Sequence, residues 1–301
     1  MINIVGKRGW YFLFSALLII PALISLILPP GGCSTLESGL KPGIDFTGGS
    51  TISLKFNNDT SQEDIRSELS QIGHPNSVIQ MMEKNTYFIR TKQLNDKTDI
   101  ISDANILLNP EKVSVLSFDT VSAVIALETI RNAFIAIIAA SIGIFLYIWW
   151  AFRNVPSPSR YGIAAIIALL HDTIIVIGLF AMLGKLFGVE VNTMFLIALL
   201  TVIGYSVNDT IVIFDRIREN IATYPNYSLS DVANLSVAES FGRSLNTSFT
   251  LIFAILALLL FGGPTIKNFL WVLLAGVIVG TYSSMGIATN LLITWETKKF
   301  R

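Results

Sequence analysis

The sequence predicts an α-helical polytopic membrane protein with six transmembrane helices and one external α+β domain of the ferredoxin-like type. Three observations support this fold class. The chain of 301 residues is 52% hydrophobic and only 14% charged, whereas about 25% of the residues in a soluble domain are charged. Six stretches are long enough to cross a bilayer, which takes about 20 apolar residues. Only the segment between the first two stretches, residues 29–128, is both long and polar.

The six apolar stretches are expected to form the membrane-spanning helices. They cover roughly residues 10–28, 130–152, 161–183, 191–214, 243–262 and 268–295. The first has an apolar run of about 19 residues, longer than the 7–15 residues of a signal-peptide core. Because no small-x-small cleavage site follows it, we interpret this stretch as an uncleaved anchor.

The basic residues that flank the spans predict the topology. They cluster before span 1, between spans 2 and 3, and after spans 4 and 6, at Lys7, Arg8, Arg153, Arg160, Arg216, Arg218, Lys298, Lys299 and Arg301. The opposite short loops hold only Lys185 and Lys267. We therefore predict a multi-pass protein of the cell membrane with cytoplasmic termini. Its parts are residues 1–28 with span 1, the external domain 29–128, and residues 129–301 with spans 2–6.

Composition also argues against several kinds of binding site and against a disulfide framework. Net charge is zero and no basic face is evident, so nucleic-acid binding is not expected. Cys33 is the single cysteine, which rules out an intrachain disulfide framework, and an unpaired surface thiol is the simplest interpretation. His74 stands between Gly and Pro without a second ligand at useful spacing. We expect no metal site and no cofactor.

The external domain shows the order β-α-β-β-α-β, the ferredoxin-like split arrangement. Thr51–Phe56 alternates as a half-buried strand does, and Thr60-Ser61-Gln62-Glu63 has the capping-box pattern that starts a helix. The later elements are expected to be strands at Val78–Met82 and Tyr87–Thr91, a helix from about Asp96 to Leu108, and a last strand with Val113, Val115 and Phe118. That fold hosts many functions, so it does not define one.

Ionisable residues inside the spans are the functional candidates, because a charge in hydrocarbon costs several kcal/mol unless it is paired, hydrated or protonated. Span 3 carries His171-Asp172 near its midpoint, and span 4 carries Asn208-Asp209 toward its cytoplasmic end. Arg243 opens span 5 at a depth similar to that of Asp209. For His171, a proton relay and a simple hydrogen bond within the bundle are equally open.

For Asp209 we hypothesise a switch in which protonation is linked to a change of conformation. Beside Arg243 the charged carboxylate is favoured, whereas away from Arg243 in a dry bundle the protonated acid is favoured. If the two conformations open Asp209 to opposite sides of the membrane, protonation and movement are linked. One proton crossing is worth about 2.3 kcal/mol per 100 mV, which biases a conformational equilibrium roughly fiftyfold.

Helical spacing adds supporting residues. It places Tyr205, Ser206, Asp209, Val212 and Arg216 on one face of span 4, with Asn208 and Asp215 on a neighbouring face. We expect this polar stripe to point toward the bundle interior. Span 5 is also polar at its cytoplasmic end, where Ser244, Thr247 and other polar residues follow Arg243. Asp215, Arg216 and Arg218 fit a solvated cluster where span 4 reaches the cytoplasm. In span 6, Gly276, Gly280 and Ser284 fit close helix packing.

Several motifs match one family. They are Gly43-Ile44-Asp45-Phe46-Thr47-Gly48-Gly49-Ser50 before the first external strand, His171-Asp172, the run from Thr201 to Asn220, Arg243-Ser244-Leu245-Asn246-Thr247-Ser248, Phe261-Gly262-Gly263 and Gly280-Thr281-Tyr282-Ser283-Ser284. On these motifs the chain resembles the SecF branch of the SecD/SecF protein-export family over nearly its full length. It departs from the family pattern at Ala238-Glu239-Ser240, where Asn-Gln-Thr is usual, and at Phe118-Asp119-Thr120, where a Gly-Pro pair is usual.

The resemblance implies half of a resistance-nodulation-division-type bundle, which pairs with SecD to give twelve spans. It further implies association with the SecYEG translocon, contact with preprotein substrates and membrane lipid, and use of the proton motive force in late translocation and release outside. The chain would be a transport subunit and not an enzyme. By the same analogy Asp209 and Arg243 carry proton coupling, Asp172 assists, and Gly43, Asp45, Phe46, Gly48 and Gly49 form the external-domain signature.

Other classes of protein could use some of the same residues. Asp172 and Asp209 could share a proton and activate water, as in an intramembrane aspartyl protease, but neither has the Tyr-Asp or Gly-x-Gly-Asp context. A Ser206–His171 pair lacks the glycine that follows the serine of rhomboid proteases. A proton-driven exporter of small molecules or lipid from the same superfamily is the closer alternative, although such exporters usually carry both halves in one chain. A purely structural subunit would tolerate Asp209→Asn.

Overall fold

The computed structural model describes residues 3–27, 39–71, 73–75, 77–92, 113–263 and 266–297. The chain divides into two compact units, Pro42–Phe134 and a larger one made of Met1–Lys41 and Ile135–Arg301. Three features predicted from the sequence lie outside the described residues: Cys33, the helix at 96–108 and the basic residues 298–301.

Helices and strands follow one another in an order that fits the prediction. They are α1 (Arg8–Ile27), α2 (Ile44–Thr47), β1 (Gly49–Phe56), α3 (Gln62–Gln71), β2 (Val78–Glu83), β3 (Thr86–Thr91), β4 (Val113–Val121), α4 (Ala123–Ala151), α5 (Pro158–Phe187), α6 (Thr193–Thr223), α7 (Leu229–Phe261), α8 (Lys267–Ser283), a π-helical segment (Ser284–Ala288) and α9 (Thr289–Thr297). Because α8, the π segment and α9 are continuous, the described residues contain six helices long and apolar enough to cross a membrane. The predicted count of six spans is confirmed.

Most of the spanning helices are longer than the apolar stretches that predicted them, and the largest extensions are in α6 and α7. Helix α6 runs on to Thr223, and α7 begins at Leu229, whereas hydropathy placed those boundaries at 214 and 243. The first turns of α7 are amphipathic, with Val232, Ala233 and Val237 buried. Hydropathy identifies the apolar part of a helix, and it does not reveal how far the helix continues in polar surroundings.

The larger unit has a central group of helices and a peripheral one. In each spanning helix we compare the 18 consecutive residues that are most apolar. Of these residues, 61%, 50% and 56% are buried in α5, α6 and the last helix, against 17%, 6% and 17% in α1, α4 and α7. Small residues let the central helices approach closely, as predicted for the last span. A Cβ on Gly276 would lie 2.1 Å from Cγ2 of Val202, so α8 contacts α6 through its backbone there.

The smaller unit is built around an antiparallel sheet with strand order β2-β3-β1-β4. Strand β3 lies between β1 and β2, which are joined through α3, so the β-α-β unit is split as in the ferredoxin-like arrangement. The inward face of the sheet packs on α3 through Ile52, Leu54, Phe56, Ile65, Leu69, Ile79, Tyr87 and Ile89. The alternation predicted for 51–56 is therefore confirmed.

The predicted capping box of α3 was wrong by one residue. Ser61, not Thr60, caps the helix, because the Ser61 hydroxyl accepts from the Asp64 backbone N–H at 3.1 Å. Asp64 Oδ2 accepts in return from the Ser61 hydroxyl at 2.7 Å and from its N–H at 3.2 Å. These bonds hold the pKa of Asp64 below its ordinary value. Both registers fit the S/T-x-x-acid pattern, so the sequence could not distinguish them.

Candidate functional site

The described part of the bundle holds two buried carboxylates, Asp172 of α5 and Asp209 of α6, with exposed fractions of 1% and 7%. Both lie on helix faces turned toward the interior, which the helical spacing predicted for Asp209. Because an ionisable group in this setting needs a partner, water or a proton, the surroundings of each carboxylate determine what it does.

Asp172 is held by three side chains. Its Oδ1 lies 2.8 Å from Nδ1 of His171, and its Oδ2 accepts from the hydroxyls of Ser206 at 2.5 Å and Ser283 at 2.6 Å. Nε2 of His171 lies 2.9 Å from the hydroxyl of Ser15. This network joins α1, α5, α6 and α8 through one carboxylate. Both nitrogens of His171 are engaged within the bundle.

Asp209 has fewer partners. Its Oδ1 accepts from the hydroxyl of Ser244 at 2.5 Å, and its Oδ2 is buried without a hydrogen-bond partner among the described residues. The carboxyl group therefore lies between α6 and α7, with a direct hydrogen bond at Oδ1 only and the Ser284 hydroxyl nearby.

A short series of hydroxyl groups lies between the two carboxylates. Thr210 Oγ1 lies 3.1 Å from the hydroxyl of Ser284, and both hydroxyls contact the backbone oxygen of Ser206, at 3.2 and 3.4 Å. Ser206 itself donates to Asp172. The neighbouring serines serve different partners because adjacent helical residues point about 100° apart, and a π-helical segment opens at Ser284, directly after Ser283. Such segments often occur at functional sites.

Arg243 does not pair with Asp209 in this structure. Its side chain is exposed, and no ion pair of Arg243 occurs within the described chain. Successive residues of an α-helix are about 100° apart, so Ser244 and not Arg243 makes the direct contact with Asp209, while the charge of Arg243 stays within electrostatic reach of the carboxyl group. Asn208 and Thr247 are exposed as well. The predicted interior stripe was therefore wrong for Asn208, while Ser206 and Asp209 do face inward.

The cluster predicted at the end of span 4 forms ion pairs. Arg216 binds Glu239 of α7 and Glu219, both at 2.7 Å, and Arg218 binds Asp215 at 2.5 Å. Side chains of this cluster are partly exposed, which agrees with a solvated cluster. Glu239 stands where the family pattern usually has Gln, so this departure adds a link between α6 and α7.

The external-domain signature forms a tight turn into β1. Gly43 precedes α2, and its backbone oxygen accepts from the N–H groups of Phe46 and Thr47. Gly48 has φ +69° and Gly49 φ +125°, and a Cβ on Gly49 would lie 2.7 Å from the backbone oxygen of Thr91. Only glycine fits such a position without strain. Asp45 lies in the first turn of α2.

This geometry weakens the hydrolase alternatives. Asp172 and Asp209 are bonded to serine and histidine side chains and share no hydrogen bond in the described residues, whereas an aspartyl dyad shares one proton. Sequence reasoning named the two carboxylates, Ser206 and His171. It missed their partners, which are Ser244 for Asp209, Ser283 for Asp172, Ser15 for His171 and Thr210 for the backbone oxygen of Ser206. Ser244 and Ser283 stand inside matched motifs, which is the signal that could have identified them.

Six apolar helices with ionisable groups buried among central helices, and a ferredoxin-like unit after the first helix, define a polytopic membrane protein of the transport class. Comparison with known families agrees. Residues 102–298 match the family described as "Protein export membrane protein SecD/SecF, C-terminal", and residues 34–60 match the "SecD/SecF GG Motif". The chain belongs to the SecD/SecF family.

Individual relatives support that assignment. The chain is 42% identical to "Protein translocase subunit SecF" of Thermobaculum terrenum, covering 100% of this chain and 96% of the relative. It is 38% identical to the subunit of the same name from Anaerolinea thermophila, with the same coverage. The crystal structure of SecDF, a translocon-associated membrane protein from Thermus thermophilus, is 30% identical with a TM-score of 0.83, and covers 98% of this chain. The present chain spans only 39% of that SecDF chain.

These comparisons confirm the prediction of a SecF-type protein-translocation subunit. They agree with a transport role instead of an enzymatic one, and they give no support to the alternative of a small-molecule or lipid exporter.

Proposed function

We propose that this chain works with SecD and uses the proton motive force to promote late steps of preprotein translocation and release on the outer side. A SecDF protein of Bacillus subtilis supports the partner. The two sequences are 32% identical over 98% of this chain, and the matched region is 38% of that longer protein. Association with SecYEG and with preprotein substrates rests on the description of the Thermus SecDF protein as translocon-associated. The cell membrane with cytoplasmic termini is the location that the flanking basic residues favour.

The observation that carries the proton-coupling proposal is the surroundings of Asp209. The carboxyl group is buried, with one hydrogen bond to Ser244 and a second oxygen that has no partner in the described residues. A buried charge that lacks a contact ion pair costs several kcal/mol, and no such pair is formed by Asp209 among the described residues, so this conformation suits the protonated acid. A conformation that brings Arg243 to Asp209 suits the carboxylate.

Helix α7 provides the means to exchange these partners. Ser244 and Arg243 are adjacent, about 100° apart around the helix, so a rotation of α7 against α6 replaces the hydroxyl by the guanidinium. In this proposal Asp172 assists by holding α5, α6 and α8 together while α7 moves, and His171 orients it. The exposed polar groups Asn208 and Thr247 would be covered by SecD, since polar groups at membrane depth must be buried in protein or line water.

The test is gradient-driven translocation into inverted membrane vesicles, compared with and without this chain while SecD is present in both. We expect ATP-driven initiation to be similar in the two preparations and the gradient-dependent completion to be lost without the chain. Equal completion in both preparations would contradict the proposed function.

Arg243→Gln is expected to reduce gradient-dependent completion at least tenfold without reducing the amount of chain in the membrane. Arg243 is exposed and makes no ion pair among the described residues, so the substitution removes no direct contact of this conformation and only a longer-range electrostatic interaction with Asp209. The main effect is therefore expected on the other conformation. The matched control is Arg131→Gln, at an exposed position of α4. Abundance and co-purification with SecD are measured with both variants. Normal completion in Arg243→Gln would show that Arg243 does not take part in coupling.

A further inference from the structure

Helix α4 carries a ridge of large apolar side chains that nothing in the described chain covers. Its members recur every four residues and are half exposed or more: Ile138, Ile142, Leu146 and Trp150. At 1.5 Å per residue the ridge is about 18 Å long, and one leaflet of the hydrocarbon core is about 15 Å thick. Helices that meet inside a membrane do so mainly through small residues, so this ridge suits contact with an acyl chain of one leaflet.

The ridge ends at two tryptophans and an arginine. Trp149 and Trp150 are 50% and 62% exposed, and tryptophan is enriched where a bilayer meets water. The Arg153 guanidinium lies 4.8 Å from the centre of the Trp150 ring, within the range of a cation–π contact. Its Nη1 donates to the Trp150 backbone oxygen at 3.2 Å. Both contacts fold Arg153 back along α4, so its charge stands at the level of the tryptophans.

A second guanidinium reaches the same turn from α6. Nη1 of Arg218 donates to the Ala151 backbone oxygen at 3.3 Å, which is next in the chain to the oxygen that Arg153 binds. Arg218 also pairs with Asp215 at 2.5 Å, whereas Arg153 forms no ion pair within the described chain. One carboxylate thus faces two arginines, and an excess of positive charge remains beside the end of the ridge.

The turn that presents these groups is fixed in the bundle. Phe152 is buried, and its ring stacks on that of Tyr161 in α5 at 5.2 Å and meets the Phe214 ring of α6 edge-on at 6.3 Å. A ligand that binds to a packed turn of this kind pays little for ordering the backbone.

We propose that this end of α4 is a binding site for an anionic phospholipid. Arg153 has five N–H donors and uses one on Trp150, so the others bind the phosphate oxygens, whose geometry a guanidinium matches. Trp149 and Trp150 lie beside the glycerol region, and one acyl chain runs along the ridge. Basic sites between spans on the cytoplasmic side, where the proposed topology places Arg153 and Arg218, are typical of anionic headgroups. The site depends on neither proton coupling nor SecD, so its test is independent of the proposed function.

Native mass spectrometry of the detergent-purified full chain measures this binding. Phosphatidylglycerol is the probe, and phosphatidylcholine with the same acyl chains is the comparison without net charge. One basic residue near the membrane surface is worth about fivefold in affinity for an anionic lipid. We therefore expect the parent chain to prefer phosphatidylglycerol by about fivefold or more, and Arg153→Gln to lose this preference without a lower melting temperature.

Two further variants separate the site from general electrostatic attraction. Arg66→Gln is the matched control, because it removes the same charge from an exposed position of α3 and should leave the preference unchanged. Trp150→Leu keeps an apolar side chain and removes the cation–π contact, so we expect weaker binding of phosphatidylglycerol. Equal binding of the two lipids by the parent, or equal preferences in Arg153→Gln and Arg66→Gln, would overturn the proposal.

Competition and the complex with SecD distinguish the other occupants. Inorganic phosphate in millimolar excess should leave phosphatidylglycerol bound, and displacement would show that the turn binds free phosphate instead of lipid. The comparison of the parent with Arg153→Gln is then repeated on the complex with SecD. A persistent difference supports the lipid site. If the difference disappears in the complex, SecD covers this turn and the proposal is wrong.

Discussion

Asp209→Asn is expected to abolish the gradient-dependent stage of preprotein translocation while ATP-driven initiation continues. Asparagine has nearly the shape of the protonated acid and still accepts the hydrogen bond that Ser244 donates to Oδ1. The described conformation should therefore form normally. Asparagine cannot release a proton or form a charged pair with Arg243, so the second conformation loses its electrostatic partner.

The expected loss is large because the driving force acts through this group. A proton that crosses 100 mV supplies about 2.3 kcal/mol, which is roughly a fiftyfold bias between two conformations. We therefore expect gradient stimulation to fall by at least tenfold in vesicles with equal amounts of chain and SecD. Asp231→Asn is the control, since this exposed carboxylate lies in the first turn of α7. A variant that retains wild-type stimulation would make Asp209 a packing residue.

The overall architecture could be predicted because it depends on one-dimensional signals. Six long apolar runs require six spans, and alternation at 51–56 requires a half-buried strand. Which face of α7 is turned toward α6 could not be predicted in this way. Hydropathy placed Arg243 and Asp209 at a similar depth, but it does not determine whether residue 243 or 244 faces α6. The structure has Ser244 there, and that choice depends on packing by the neighbouring helices.

Contacts that depend on irregular backbone could not be predicted either. Ser283 and Ser284 serve Asp172 and Thr210 respectively, next to a π-helical segment that no residue pattern announces. The N-terminal residues are a second case, since Asn234 Oδ1 accepts from the N–H groups of Ile4 and Val5, both at 2.9 Å. These bonds join positions about 230 apart in sequence, and a single sequence contains no signal for such a pairing.

Gly178→Leu is expected to have the largest effect on stability. A Cβ at this position would lie 2.2 Å from Cβ and 2.5 Å from Cα of Ala22, so α1 and α5 are in backbone contact. The four heavy atoms of leucine cannot be accommodated unless α1 moves away. That movement would also pull Ser15 from His171, a bond of 2.9 Å that supports the Asp172 network.

Overpacking of this kind costs about 1–3 kcal/mol and sometimes more, and about 1 kcal/mol lowers the melting temperature by roughly 2–4 °C in larger domains. We expect the melting temperature of the detergent-purified chain to fall by about 5 °C or more. Gly143→Leu is the matched control, because Gly143 is an exposed helical glycine of α4, and a Cβ at this position would have no other atom within 4 Å. If the two variants melt alike, α1 does not pack on α5 through bare backbone. In that case we would not expect a displacement of α1 to disturb the Asp172 network through the Ser15–His171 bond.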